Sequence, residues 1–133
     1  MARSLRGGCD CGAVSFTVAD EFEYASNCHC SRCRASTGAA FKPFAGIARD
    51  KLELTEGADR LMIVGEPLNN HTRCATCGSL MFSVVQDGAR VHVALGSLQD
   101  APSLRPQNHM FVGSKAPWYE ILDDLPQFDG YPE

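Results

Sequence analysis

"NCHCSRCRASTG", residues 27–38, places Cys28, Cys30 and Cys33 within six positions and runs directly into a turn of small residues. Three thiols are one short of the four that close a tetrahedral metal site. Working outward, the chain supplies four more thiols in two pairs, Cys9 and Cys11 in "GGCDCG" (residues 7–12) and Cys74 and Cys77 in "CATCGS" (residues 74–79). A structural zinc takes four protein ligands, whereas a catalytic zinc keeps one position for water or substrate. The economical partition therefore joins Cys9, Cys11, Cys74 and Cys77 around one structural zinc and leaves Cys28, Cys30 and Cys33 to hold a second, giving two zinc ions per chain. The first site ties an N-terminal strand to a distant hairpin, a metal clip across a long loop.

The central trio admits more than one reading. Three thiolates on a divalent cation leave a formal charge of about −1 and a vacant corner that a substrate thiol or a carbonyl oxygen can occupy. A thiol bound there loses its proton and becomes the reactive species. Alternatively His29, inside the cluster, or His109 supplies a fourth ligand and makes both zincs structural. Iron at the four-thiol site is a further alternative, since spacing alone does not separate it from zinc.

The rest of the chain sets bounds. Its 133 residues suit one zinc-binding domain, residues 1–133, with an irregular tail from about residue 126 in "PQFDGYPE". Without an apolar run long enough to span a bilayer or a secretory leader at the start, a soluble cytoplasmic protein is expected, one that does not act at a membrane. Seven cysteines, an odd number in close groups, point to metal chelation rather than disulfides. A net charge of −4 gives no basic stripe for nucleic acid. Short runs alternate apolar with polar residues between turn residues, and predict a mainly β fold of short antiparallel strands with little helix. "AVSFTVAD" (13–20), "FKPFAGIA" (41–48), "KLELTEG" (51–57), "RLMIVGE" (60–66), "LMFSVVQDG" (80–88), "VHVALGSL" (91–98) and "NHMFVGS" (108–114) read as strands. Helical turns are expected near Ser31 to Ala35 and near Ser97 to Asp100.

"GGCDCGAVSFTV", "NCHCSRCRASTGAAF", "CATCGSLMF", "NHMFVGSKAPWYEI" and "DDLPQFDG" follow one another in an order and spacing that resembles the glutathione-dependent formaldehyde-activating enzyme family, which also contains centromere protein V. The resemblance spans nearly the whole chain. It implies an Mss4-like β-tent stapled by zinc, with a four-cysteine zinc on Cys9, Cys11, Cys74 and Cys77 and a three-cysteine zinc on Cys28, Cys30 and Cys33. The activity it implies is that of a carbon–sulfur lyase joining glutathione and formaldehyde as S-hydroxymethylglutathione. Arg73 stands where the family often has an aromatic residue.

On this reading the open zinc binds a small thiol or polarises an aldehyde, and His29 and His109 are the candidates for a proton relay at neutral pH. His71 and His92 read as surface or supporting residues. Arg32, Arg34 and Lys42 surround the trio and either attract a substrate carboxylate or are solvated charges. Trp118 and Tyr119 read as a packed apolar lid or as a pocket wall. The competing function class is a non-catalytic binding module with both zincs structural.

Overall fold

The computed structural model describes residues 3–132. Its strands are β1 (Ser4–Gly8), β2 (Ser15–Ala19), β3 (Tyr24–Cys28), β4 (Lys42–Ala48), β5 (Leu52–Glu56), β6 (Leu61–Glu66), β7 (Asn69–Cys74), β8 (Leu80–Val85), β9 (Arg90–Ala94) and β10 (His109–Met110), and α1 spans Ser31–Thr37. The strands form a three-stranded sheet, ordered β1-β2-β5, and a seven-stranded sheet, ordered β10-β3-β4-β9-β8-β7-β6. The mainly β architecture is as expected, and α1 is the one α-helix among the described residues. One pairing departs from the antiparallel expectation, because β10 runs parallel to β3.

Alternation along the strands explains how the sheets meet. Leu5, Phe16 and Val18 of the small sheet pack against Ile47, Phe82, Val84, Val91 and Val93 of the large one. The Phe16 and Phe82 rings meet edge to face at 5.8 Å. Each such side chain contributes about 1.5–3 kcal/mol on burial. Cys9 and Cys74 belong to the same buried cluster, so the four-thiol site sits at the edge of this core.

The opposite face of the large sheet is polar. Tyr24, Ser26 and Cys28 of β3 alternate onto it, and Cys28 pairs in register with Lys42 of β4. Across the sheet, Gly46 pairs with His92, His92 with Ser83, and Ser83 with His71. His92, Ser83 and His71 therefore form a row across that face, and Cys33 lines the same hollow as Ser83 and His71.

Several elements differ from the sequence expectation. β3 (YASNC) and β7 (NNHTRC) were not expected as strands because their residues are small or polar. In β7, Asn70, Thr72 and Cys74 still alternate inward, but with polar side chains carrying the period. "NHMFVGS" gives a two-residue strand, since Phe111 turns into the left-handed region at φ 57° and a 3-10 turn follows. The second helical turn lies slightly earlier, at Leu95–Ser97. The tail is held by backbone hydrogen bonds, the Phe128 N–H donating to the His109 carbonyl at 2.9 Å and the Phe111 N–H to the Gly130 carbonyl at 3.0 Å.

Candidate metal centres and the polar groove

The sulfurs of Cys9, Cys11, Cys74 and Cys77 all lie within 4.8 Å of one another. Two sulfur–sulfur separations, Cys9 to Cys11 and Cys11 to Cys74, are 3.7 Å. A tetrahedron with metal–sulfur bonds of about 2.3 Å has edges of about 3.8 Å, so this spacing fits a four-thiolate zinc. The backbone is shaped around the sulfurs. The Val14 N–H donates to Cys9 Sγ at 3.2 Å, and the N–H groups of Thr76 and Cys77 donate to Cys74 Sγ at 3.3 and 3.4 Å. Each turn closes at a glycine with φ 81°, Gly12 after the first pair and Gly78 after the second. No side chain would clash there, so the requirement is the left-handed backbone itself. A register shift between Thr72 and Arg73 re-aims β7 where it enters this turn.

Cys28, Cys30 and Cys33 form the second group, with sulfurs likewise within 4.8 Å of each other and no histidine among them. Cys28 ends β3, Cys30 is the extended N-cap of α1, and Cys33 lies one turn inside the helix. Gly38 closes α1 in the left-handed region, its N–H donating to the Arg34 carbonyl at 2.8 Å. A Cys33 interaction favours the Cys28 thiolate, and the same interaction pushes the Cys33 thiol up, so the metal-free trio shares its protons unevenly. An all-sulfur donor set suits a soft or borderline cation such as zinc. Arg73 connects the two centres, donating to the Gly78 carbonyl at 3.0 Å and to the Ser36 carbonyl at the end of α1.

Three hollows open on this part of the molecule, one of them lined by Cys33. One of about 590 Å³ reaches from Cys77 to the end of α1 and is lined by Thr37, Phe41, Lys42, Arg73 and Cys77. Another of about 760 Å³ is lined by Arg32, Cys33, His71, Ser83 and Tyr131. A third, of about 360 Å³, lies beside Tyr24, Phe44 and His92. Among the described residues lining all three, Asp10 is the one carboxylate.

Lys42 is buried in this groove, not solvated. Its Nζ donates to Ser83 Oγ at 3.1 Å, and Ser83 Oγ lies 2.7 Å from His71 Nδ1. With the Ser83 lone pair engaged by an ammonium, the hydroxyl hydrogen is free for His71. Burial lowers the Lys42 ammonium's proton affinity, and the trio's sulfurs act in the opposite direction. Burial, then Lys42, pushes His71 down. The groove thus contains Lys42, Ser83 and His71, whose side chains the sequence did not connect. The chemical signal for Lys42 was present, a lysine in the apolar run "FKPFAGIA", but its burial depends on the sheet order.

His92 stacks on Phe44 at 4.4 Å and its Nε2 lies 2.7 Å from the Tyr24 hydroxyl. Burial, assisted by Lys42, pushes His92 down to about 4. An unfolded histidine titrates near 6.5. The unfolded state therefore takes up a proton first, and stability that is intact above about pH 6.5 is lost as pH falls through about 4. We expect His92→Gln to show a shallower fall of the urea midpoint between pH 7 and 4 than the parent protein. An unchanged slope would contradict burial of a neutral imidazole.

His29 and His109 turn toward each other, His29 Nε2 lying 2.8 Å from His109 Nδ1. Asp123 accepts from His109 Nε2 at 3.0 Å, and the His109 hydrogen bond holds its carboxyl below the usual range. Since Asp123 accepts from Nε2, a neutral His109 accepts at Nδ1 from His29 Nε2–H. That leaves His29 Nδ1 as the acceptor atom, buried and without a hydrogen-bond partner among the described residues. Burial pushes His29 down to about 4. Phe41 packs on His29 at 4.9 Å, and Tyr119 on Phe41 at 5.5 Å. Trp118 is 71% exposed and is not part of that packing. His109→Ala removes a fully buried ring with both nitrogens engaged and is expected to cost about 2–4 kcal/mol in chemical denaturation. A loss below about 0.5 kcal/mol would contradict this role.

The comparisons with known proteins agree with this arrangement. Residues 4–114 match the sequence profile of the family described as glutathione-dependent formaldehyde-activating enzyme. A Halomonas elongata relative bearing that family's name is 28% identical, over 97% of this chain and 89% of its own length. A Fusarium vanettenii relative of the same name is 30% identical over 62% of this chain, and the match spans 45% of that longer protein. A crystal structure of a Rhodobacter sphaeroides protein superposes with a TM-score of 0.60 at 27% identity, covering 74% of this chain and 91% of that one. With the profile covering both cysteine pairs and the trio, the chain belongs to the glutathione-dependent formaldehyde-activating enzyme family.

Proposed function

We propose that this protein catalyses carbon–sulfur bond formation and cleavage between a small thiol and an aldehyde, with glutathione and formaldehyde as the first pair to test. Cys9, Cys11, Cys74 and Cys77 would hold a structural zinc, and Cys28, Cys30 and Cys33 a second zinc with one position free. The observation carrying the proposal is the trio itself, three mutually close sulfurs with no fourth donor among the described residues, one of which, Cys33, lines an open hollow. Zinc bound by the trio would supply a cation that favours the thiolate of a bound thiol and polarises an aldehyde oxygen.

The chain's own residues supply the rest. Arg32, Lys42 and Arg73 give the hollows a positive lining that favours a carboxylate-bearing thiol over a neutral one. Phe41 and Tyr131 contribute apolar walls to the two hollows. The Asp123–His109–His29 chain fixes the segment between Cys28 and Cys30.

The test is the exchange rate between formaldehyde plus glutathione and S-hydroxymethylglutathione, followed by NMR with and without the zinc-loaded protein. This condensation runs unaided, so only excess exchange counts. Excess exchange at catalytic protein concentration is expected. Its absence with two zinc ions bound would reject this substrate pair and favour the non-catalytic binding module.

A further inference from the structure

The observation that calls for an explanation is a buried ammonium with no carboxylate. Lys42 is 4% exposed, and among the described residues no Asp or Glu forms an ion pair with it. An unpaired charge in such a place is costly and persists only if something of opposite sign compensates it. Its one hydrogen-bond partner among the described residues is the neutral Ser83 hydroxyl, which leaves two of its three N–H donors unassigned. Its register partner on the neighbouring strand is Cys28. The groups that can supply negative charge here are therefore the trio's sulfurs.

We infer that Lys42 is the resident counter-ion of the Cys28, Cys30 and Cys33 centre, held in place by the Ser83 and His71 hydrogen bonds. Three thiolates and a divalent cation carry a formal charge of about −1, and the ammonium brings the local sum to about zero. In a partly buried site that compensation is worth far more than in water. Ser83 and His71 come from β8 and β7, so the ammonium is held from strands further along the same face, Ser83 directly and His71 through Ser83. Lys42 acts here as a positioning residue. Its charge stabilises the metal-loaded trio without itself becoming a ligand. Arg73 cannot substitute, because its guanidinium is committed to the Gly78 and Ser36 carbonyls.

The inference rests on the trio being a metal site, and one experiment separates the two claims. The zinc-loaded full chain is titrated with a chromophoric chelator, and release of the weaker, trio-bound zinc is compared with release from the four-thiol site. Lys42→Met, which keeps the length and apolar stem, is expected to weaken the trio's zinc about tenfold and leave the four-thiol zinc unmoved. Lys42→Arg should stay within about threefold of the parent, since it keeps the charge. If Lys42→Met does not fold, Ser83→Ala reads the same effect, with a shift of about threefold in the trio phase alone. Superimposable release curves for Lys42→Met and the parent would overturn the assignment. So would an equal shift of both phases, which would mean a general loss of stability. A parent protein that binds a single zinc would overturn the metal reading of the trio, and the assignment with it.

Discussion

Cys77→Ser is expected to leave the protein largely unfolded at 25 °C, with one zinc or none bound. Cys77 is exposed, so replacing its sulfur opens no cavity in the core. What the substitution removes is one corner of the four-thiol group, whose sulfurs all lie within 4.8 Å of one another, two of the separations being 3.7 Å. Structural zinc contributes apparent binding free energies of about 10–16 kcal/mol in small zinc-dependent folds. Typical net stability is only about 5–15 kcal/mol, so weakening this clip removes most of it. The site also joins the turn after β1 to the turn after β7, and Cys9 and Cys74 pack within the core cluster. Far-UV circular dichroism and metal content measured on the same sample check the expectation. A cooperatively folded Cys77→Ser protein holding a single zinc would show that the four-thiol site does not maintain the fold.

Cys30→Ser should behave in the opposite way. Cys30 is the N-cap of α1, with an extended backbone and no side-chain capping bond. Serine is a favoured residue at that position, so the start of the helix is not weakened by the change. The trio lies at the groove, outside the apolar cluster shared by the sheets, and its loss removes no packing between them. The expected variant is folded, within about 1 kcal/mol of the parent. It binds one zinc and shows no excess exchange between formaldehyde, glutathione and their adduct. If Cys30→Ser unfolds as completely as Cys77→Ser, both centres are architectural and the case for an open reaction centre collapses.

The cysteine grouping was legible in the sequence because spacing within each pair and within the trio reflects local chain geometry. β2, β4, β5, β8 and β9 were legible because apolar residues carried the alternation, as in Phe16 and Val18 of β2. β7 was not, because Asn70 and Thr72 occupy inward positions that sequence patterning expects to be apolar. Lys42 was equally obscured. Its neighbours mark a strand, but the fact that it is buried opposite Cys28 depends on β3 pairing with β4, which no local pattern encodes. The same is true of Ser83 and His71, 12 residues apart in sequence and 2.7 Å apart in space. His29 and His109 were visible as candidates, yet their mutual hydrogen bond required the parallel pairing of β10 with β3.

The measurement that tests the division of labour most directly replaces zinc with cobalt in the folded protein and follows sulfur-to-metal charge-transfer absorption as glutathione is added. An open trio predicts a saturable gain in absorption as a fourth sulfur joins, absent in Cys30→Ser. With two metal ions bound, a spectrum that does not change at any glutathione concentration would contradict an open centre at Cys28, Cys30 and Cys33.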